Sequence, residues 1–389
     1  MTSVILCIFI AGYALIALEG WTKVNKSAVA ILMAVCCWTL YYWGSGASAE
    51  NVSAFTKALG ETSEILFFLM GAMVIVEVVD TNGGFDWVRE KLVSRTKAGL
   101  LWKLTLATFF LSAVLDNMTT AIIMVMILDK LVSDRRDKLL YASMVILAAN
   151  SGGAFSPIGD VTTIMLWVKG NISTFGVIRS LFLPSIVSVL VPAVILTFFL
   201  RGRLEIGRED VQAEGYSNIG ISPKERIVVF LIGVGGLPPF MGILLILAIL
   251  FFLGILTTVS ALSETGILKS AGTFLERISD GNPYIVTGSI GFLSAVVDNV
   301  PLVASCMGMY DVVTSGTGAE LYGIDGTFWE LLAYSGGIGG SMLIIGSAAG
   351  VVVMGLQKIS FGWYLKHFSW IACIGYLAGI LTYWVQDII

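Results

Sequence analysis

Charge and histidine are both scarce in this sequence. Only 13% of its 389 residues are Asp, Glu, Lys or Arg, about half the share of a soluble domain, which excludes an ordinary water-facing surface. His367 is the sole histidine and sits beside Lys366. That excludes a histidine-rich metal site and leaves no histidine-based dyad for an intramembrane hydrolase; no enzymatic role is expected. The five cysteines (Cys7, Cys36, Cys37, Cys306, Cys373) lie in apolar runs and read as small buried hydrophobes. No Lys or Arg precedes the first apolar stretch, and no small-x-small site follows it, so residues 1–18 read as a first span and not a cleaved signal. No nucleic-acid partner is expected.

Apolar residues make up 57% of the chain and cluster in long runs: Val4 to Leu18, Ala28 to Trp43, Ile65 to Val79, Ile178 to Leu200 and Trp363 to Val385. These approach or reach the roughly 20 residues needed to cross a bilayer core of about 30 Å. They do not alternate apolar and polar as barrel strands do, so the spans are helices. The expected partners therefore include membrane lipids. Basic residues concentrate around Trp87 to Lys103, Asp129 to Lys138 and Arg201 to Arg226. Placing these loops in the cytoplasm, with the Lys23/Lys26 loop and the Lys358/Lys366 region, leaves only Lys57, Lys169, Arg179, Lys269 and Arg277 outside. That threading satisfies the positive-inside rule and puts both termini outside. It works only if two segments enter the membrane and return on the same side. They are 101–128, interrupted at Asp116-Asn117, and 284–313, interrupted at Asp298-Asn299.

The chain also repeats itself. Leu66-Phe67-Phe68-Leu69 recurs as Leu250-Phe251-Phe252-Leu253, and Phe110 to Asn117 recurs as Phe292 to Asn299 with a single change. Ser151-Gly152-Gly153 matches Ser335-Gly336-Gly337. The positive-inside threading runs the two copies in opposite directions, and inverted repeats with interrupted helices mark secondary transporters. The expected division is 1–44 as N-terminal scaffold spans, 45–200 as repeat one with hairpin 101–128 and broken helix 138–168, 201–226 as a cytoplasmic linker, and 227–389 as repeat two with hairpin 284–313 and broken helix 328–356. Between Ile227 and Ala261 the second copy lacks a loop that the first has. Three crossings are expected there and the chain has room for about half of them. Breaks near 236/237 and 249/250, where residues would be absent from the sequence, or a natural deletion, would account for it.

Polar groups inside apolar spans cost about 2.5–3.5 kcal/mol for an Asp at a helix centre, so they need a reason to be there. The first cluster is Asp116-Asn117-Met118-Thr119-Thr120. The second, Asn150 to Thr163, holds paired glycines, Pro157 and Asp160, the composition of a helix break. Copy two supplies Asp298-Asn299 and Ser335 to Ser341, and its Ile345-Gly346-Ser347 stands against Ile158-Gly159-Asp160. Three carboxylates, Asp116, Asp160 and Asp298, are thus placed at mid-span. Carboxylate, amide and hydroxyl oxygens are hard ligands for a Na⁺-like cation. A carboxylate that holds either a proton or a cation couples the two fluxes. The alternative is that each Asp or Asn merely caps the half-helix that follows.

The phrases Ser112 to Thr120, Asn150 to Thr163, Ile65 to Met73 and Asn25-Lys26-Ser27-Ala28 resemble the NhaD-type sodium/proton antiporters of the ion transporter superfamily. The resemblance covers nearly the whole chain. It implies exchange of Na⁺ or Li⁺ for H⁺ across a bacterial inner (plasma) membrane, with no cofactor. It also implies two re-entrant hairpins, two broken helices, an elevator-like motion against a scaffold, and a homodimer. It ties Asp116, Asn117, Asn150, Asp160, Thr162, Thr163, Ser294, Asn299 and Ser341 to ion handling, beside Asp298. The expected class is an all-α polytopic membrane protein with inverted repeats. The competing reading on the same scaffold is a Na⁺-coupled organic-anion or arsenite carrier. Relatives of that kind typically carry Ser-Asn-Thr where this chain has Asp-Asn-Met and Asp-Asn-Val, and no basic residue lies in either repeat core.

Overall fold

The computed structural model describes residues 2–17, 24–46, 48–81, 92, 94–204, 239–316 and 318–388. These residues form helices, and the fold is that of an all-α polytopic membrane protein. The first half comprises α1 (Thr2–Ala17), α2 (Lys26–Ser45), α3 (Ala49–Thr81), α4 (Lys97–Ser112), α5 (Asn117–Leu131), α6 (Arg135–Ala154), α7 (Val161–Val168) and α8 (Thr174–Phe199). The second comprises α9 (Pro239–Glu264), α10 (Ile267–Ile278), α11 (Pro283–Ser294), α12 (Asn299–Met307), α13 (Ala319–Tyr322), α14 (Thr327–Gly339), α15 (Ala348–Leu356), α16 (Phe361–His367) and α17 (Ser369–Ile388).

Among the described residues, α2, α8 and α17 are each long and apolar enough to cross a membrane alone. A fourth span arises if α9 from Ile249 onward and α10 are taken together, bent by 75°. The bend falls at Gly266, whose φ of +73° suits a residue without a side chain. Lipid-facing and core-facing stripes are plain on α17. Trp370, Ile374, Leu377, Leu381 and Trp384 are exposed, while Ile371, Ala372, Gly375, Tyr376, Gly379 and Tyr383 are buried. A Cβ on Gly375 or Gly379 would run into the Ser188 or Pro184 carbonyl of α8, the close approach that small residues permit between membrane helices. The run from Trp363 to Val385, read from the sequence as one span, is divided at Phe368 into α16 and α17.

Contacts at helix ends fix the directions of the hairpins and the broken helices. At one end of the molecule Lys97 Nζ pairs with Asp137 Oδ2 at 2.5 Å, and Lys138 Nζ pairs with Asp129 Oδ1 at 3.0 Å. The start of α4 and the finish of α5 therefore lie together, beside the start of α6. At the same end Arg135 Nη2 donates to the Gln357 carbonyl at 2.5 Å, just past the finish of α15. At the other end Asp325, before α14, takes hydrogen bonds from Ser173 N at 2.5 Å and Ser173 Oγ at 2.6 Å, just past α7. Tyr284 Oη at the start of α11 donates to Asp387 Oδ2 at 2.7 Å. Tyr310, past α12, stacks on Tyr322 with ring centroids 4.8 Å apart and meets Phe328. The α4–α5 hairpin thus enters and leaves at the first end and the α11–α12 hairpin at the second. The broken pairs α6–α7 and α14–α15 run in opposite directions between them. The first end carries Lys97, Arg135, Lys138, Arg203 and Lys358.

Equivalent contacts give the register of the two copies. Ser112 Oγ donates to the Ala149 carbonyl at 2.6 Å and Ser294 Oγ to the Gly336 carbonyl at 2.8 Å. A Cβ on Gly152 would strike Phe109 O, and one on Gly339 would strike Gly291 O. Gly153 lies against Gly159, as Gly340 lies against Gly346. The hairpins are therefore offset by 182 residues and the broken helices by 187. The Ser-Gly-Gly match at 184 is corrected: Gly152 and Gly153 correspond to Gly339 and Gly340, in the same register that the Ile-Gly-Ser match already gives for Asp160 and Ser347.

At 249/250, where the sequence reading allows for absent residues, α9 runs on as one helix. The 236/237 point and the linker beyond 204 lie outside the described residues. Helix α9 packs beside α2 in the same direction, with Lys26 against Phe251, Gly254 against Ala30, and Trp38 Nε1 donating to the Thr257 carbonyl at 2.8 Å. Its 26 residues span about 39 Å. Its finish at Ser263 and Glu264 shares a cavity of about 310 Å³ with Lys169 and Asp311 at the second end. Inversion needs an odd number of crossings, and among the described residues α9 supplies one.

Candidate functional site

Four half-helices begin within one hydrogen-bonded network at the crossing of the two broken pairs. They are α5, α7, α12 and α15, and their first residues or caps are Asn117, Asp160, Asn299 and Ser347. Each break exists because the sequence there cannot continue a helix. Gly152 and Gly153 pack against backbone where no side chain fits, and Pro157 removes a donor. The breaks leave amide-rich helix starts and free carbonyls, the parts suited to holding charge in a membrane.

Asp160 is the hub, at 1% exposure. Its Oδ1 caps α7 by accepting from Thr162 N at 3.1 Å. Its Oδ2 accepts from Asn117 Nδ2 at 2.9 Å and from Asn299 Nδ2 at 3.2 Å, one amide from each hairpin tip. Asn117 Nδ2 also donates to Asn150 Oδ1 at 3.0 Å, and Asn150 Nδ2 donates to both Ser341 Oγ and Ser347 Oγ at 2.9 Å. The two copies thus meet through side chains of six residues. Capping and network membership prove compatible in Asp160, because its two oxygens divide the tasks.

The other expected site residues do different things. Thr163 Oγ1 donates to the Asp160 carbonyl at 2.8 Å, bracing the break, while Thr162 is fully buried beside Asp160. Asp116 Oδ1 caps α5 through Thr119 N at 2.9 Å, and its buried Oδ2 makes no hydrogen bond; neither does Thr120 Oγ1, one turn on. Ser294 is outside the network, holding hairpin two to α14 as Ser112 holds hairpin one to α6. Asp298 makes no cap hydrogen bond to its own helix and faces Lys26 Nζ at 4.0 Å. Lys26, placed in a loop by the sequence reading, belongs instead to the first turn of α2.

Ser347 belongs to the network although the sequence does not mark it as a ligand. The signal for it was the Ile-Gly-Ser match to Ile158-Gly159-Asp160. At the structural register Asn150 faces Gly337, Asp160 faces Ser347 and Thr163 faces Gly350, so copy two has lost its carboxylate and amide at the break. The result is one acidic site shared by two copies, not two sites. Carboxylate, amide and hydroxyl side chains meet there, and their oxygens are of the type that suits a hard cation, although in this arrangement Asn117 and Asn299 turn their amide nitrogens to Asp160.

Comparisons with known proteins agree in kind. A family model described as "Citrate transporter" matches residues 13–322. "Sodium/proton antiporter 1" of Arabidopsis thaliana is 40% identical over 420 residues, covering 97% of this chain and 71% of the relative. "Sodium/proton antiporter 2" of the same plant is 39% identical, covering 97% of each. The "Na(+)/H(+) antiporter NhaD" of Vibrio cholerae is 27% identical, covering 97% of this chain and 90% of the relative. These alignments run longer than the stretch of chain they draw on, so the relatives carry residues that this chain lacks. The chain belongs to the citrate-transporter family of the ion transporter superfamily, as an NhaD-type transporter and not an enzyme.

Proposed function

We propose that this protein exchanges Na⁺ or Li⁺ for H⁺ through the Asp160 site. The observation that carries the reading is Asp160 itself, a buried carboxylate held by one amide from each inverted hairpin. An ionised carboxylate deep in a membrane protein needs a compensating positive charge. Either a cation or a proton supplies it, so the site is carried across loaded with one or the other, and exchange follows without a separate gate. Asn117, Asn150, Asn299, Thr162, Thr163 and Ser341 would supply neutral oxygens or hold those that do. The free Oδ2 of Asp116 is the second acidic ligand in this reading. The moving part would comprise the hairpins and broken helices, and the scaffold α1–α3 with α9. By the positive-inside rule the basic end is cytoplasmic, and we carry over the bacterial inner (plasma) membrane from the family resemblance, since relatives from bacteria and from a plant alike match over nearly all of this chain.

The family description favours a second reading, a Na⁺-coupled organic anion. Helix starts in transporters do hold substrate carboxylates. Here the start of α7 is already occupied by the protein's own Asp160. The chain supplies the anion, and a cation completes the site. The test is Na⁺ addition to everted vesicles with an acid interior. Collapse of the pH gradient is expected, and an unchanged gradient at verified expression would overturn the reading.

A further inference from the structure

The two tip carboxylates stand at equivalent positions and do different things. Asp116 caps its half-helix through Thr119 N at 2.9 Å. Asp298 caps nothing and turns to Lys26 Nζ, 4.0 Å away, with the pair only partly exposed. Lys26 is itself oddly placed for a helix. A cation in the first turn of α2 opposes the helix dipole, and Asn25 already caps that turn through Ser27 N and Ala28 N. Its ammonium also lies over the Phe251 ring of α9, 4.7 Å from the centroid, a favourable cation–π contact. Both α2 and α9 belong to the part assigned above as scaffold, while Asp298 is next to Asn299, which touches Asp160.

We propose that Lys26 is a positioning residue, a fixed counter-charge that the scaffold lends to the tip of hairpin two and that tunes the cation affinity of the Asp160 site. The pair latches the tip to the scaffold in this conformation. It also leaves Asp298 neutralised by the protein rather than by cargo, so that Asp298 is a partner of Lys26 and not a cation ligand. The inference rests on the exchange function proposed above, and deepens it. Its signs follow from Coulomb's law at short range in a poorly solvated site. Lys26→Gln removes a positive charge near the site and should lower the KM for Na⁺ severalfold. Asp298→Asn removes a negative charge near the site and should raise it severalfold. The double variant should return close to the wild-type value, and Lys26→Arg should stay near wild type.

The experiment measures KM for Na⁺ in vesicles for the wild type and these four variants, with thermal unfolding of each purified protein in Na⁺-free detergent. Opposite KM shifts that cancel in the double variant, with coupled losses of thermal stability, are expected. Shifts of the same sign in both single variants would reduce the pair to a structural contact and overturn the proposal. Additive losses of stability would show that Lys26 and Asp298 do not interact and would overturn it equally, whether or not the protein exchanges Na⁺. Absence of exchange in the wild type would instead sink the functional reading, and the stability cycle would still decide on the pair.

Discussion

Replacing Asp160 with Asn changes few atoms and removes the one charge at the centre of the network. In the native arrangement Asp160 accepts from Thr162 N, Asn117 Nδ2 and Asn299 Nδ2. An Asn has one acceptor oxygen. If that oxygen keeps the cap on α7, its amide nitrogen faces two amide donors that have lost their acceptor. Each buried donor left unsatisfied costs about 1–3 kcal/mol, and relief from burying an ionised group offsets part of this. A net destabilisation of about 1–3 kcal/mol leaves a folded, inserted protein. The effect on cargo is far larger. A unit charge roughly 3 Å from a cation, at an effective dielectric of about 20, contributes about 5 kcal/mol, or nearly four decades of affinity. Asp160→Asn should therefore reduce Na⁺-driven pH change in everted vesicles to background while expression and thermal unfolding stay near normal. Exchange at the wild-type rate would refute the reasoning and move the coupling carboxylate to Asp116.

Two further outcomes separate structure from chemistry. Ser294→Ala removes a buried bond to the Gly336 carbonyl; it should lower thermal stability by about 1 kcal/mol and leave the KM for Na⁺ unchanged, whereas a large KM change would return Ser294 to the ion site. In a cysteine-free background, single cysteines at Ser133 and Ser315, both exposed, should react with a membrane-impermeant maleimide from opposite faces, and labelling from one face would contradict the inverted arrangement.

Much of the architecture was legible because the membrane punishes exceptions. Asp116-Asn117, Asp298-Asn299 and the Gly-Gly/Pro stretch after Asn150 stand out among apolar residues, and each marks an observed break. The register of the second break was harder to read. Small residues are common in copy two, and Ser335-Gly336-Gly337 offered a false match three residues from the true one. Packing decides it: backbone excludes a Cβ at Gly339 and Gly340, as it does at Gly152 and Gly153, whereas Gly336 and Gly337 meet side chains first. The divided tasks of Asp160 are likewise invisible in the sequence, because one carboxylate has two oxygens and nothing local shows that one caps α7 while the other meets both hairpin tips. Lys26 looked like a loop cation by charge alone; nothing local says that its reach ends at Asp298, 272 residues away.

Purified protein in liposomes gives the most direct test of the central claim. Vesicles loaded with Na⁺ and diluted into Na⁺-free buffer should acidify inside as Na⁺ leaves and H⁺ enters, with no organic anion present. Li⁺ loading should behave in the same way, and citrate with a Na⁺ gradient should not accumulate. Citrate accumulation driven by Na⁺, with no proton movement under Na⁺ alone, would contradict the account.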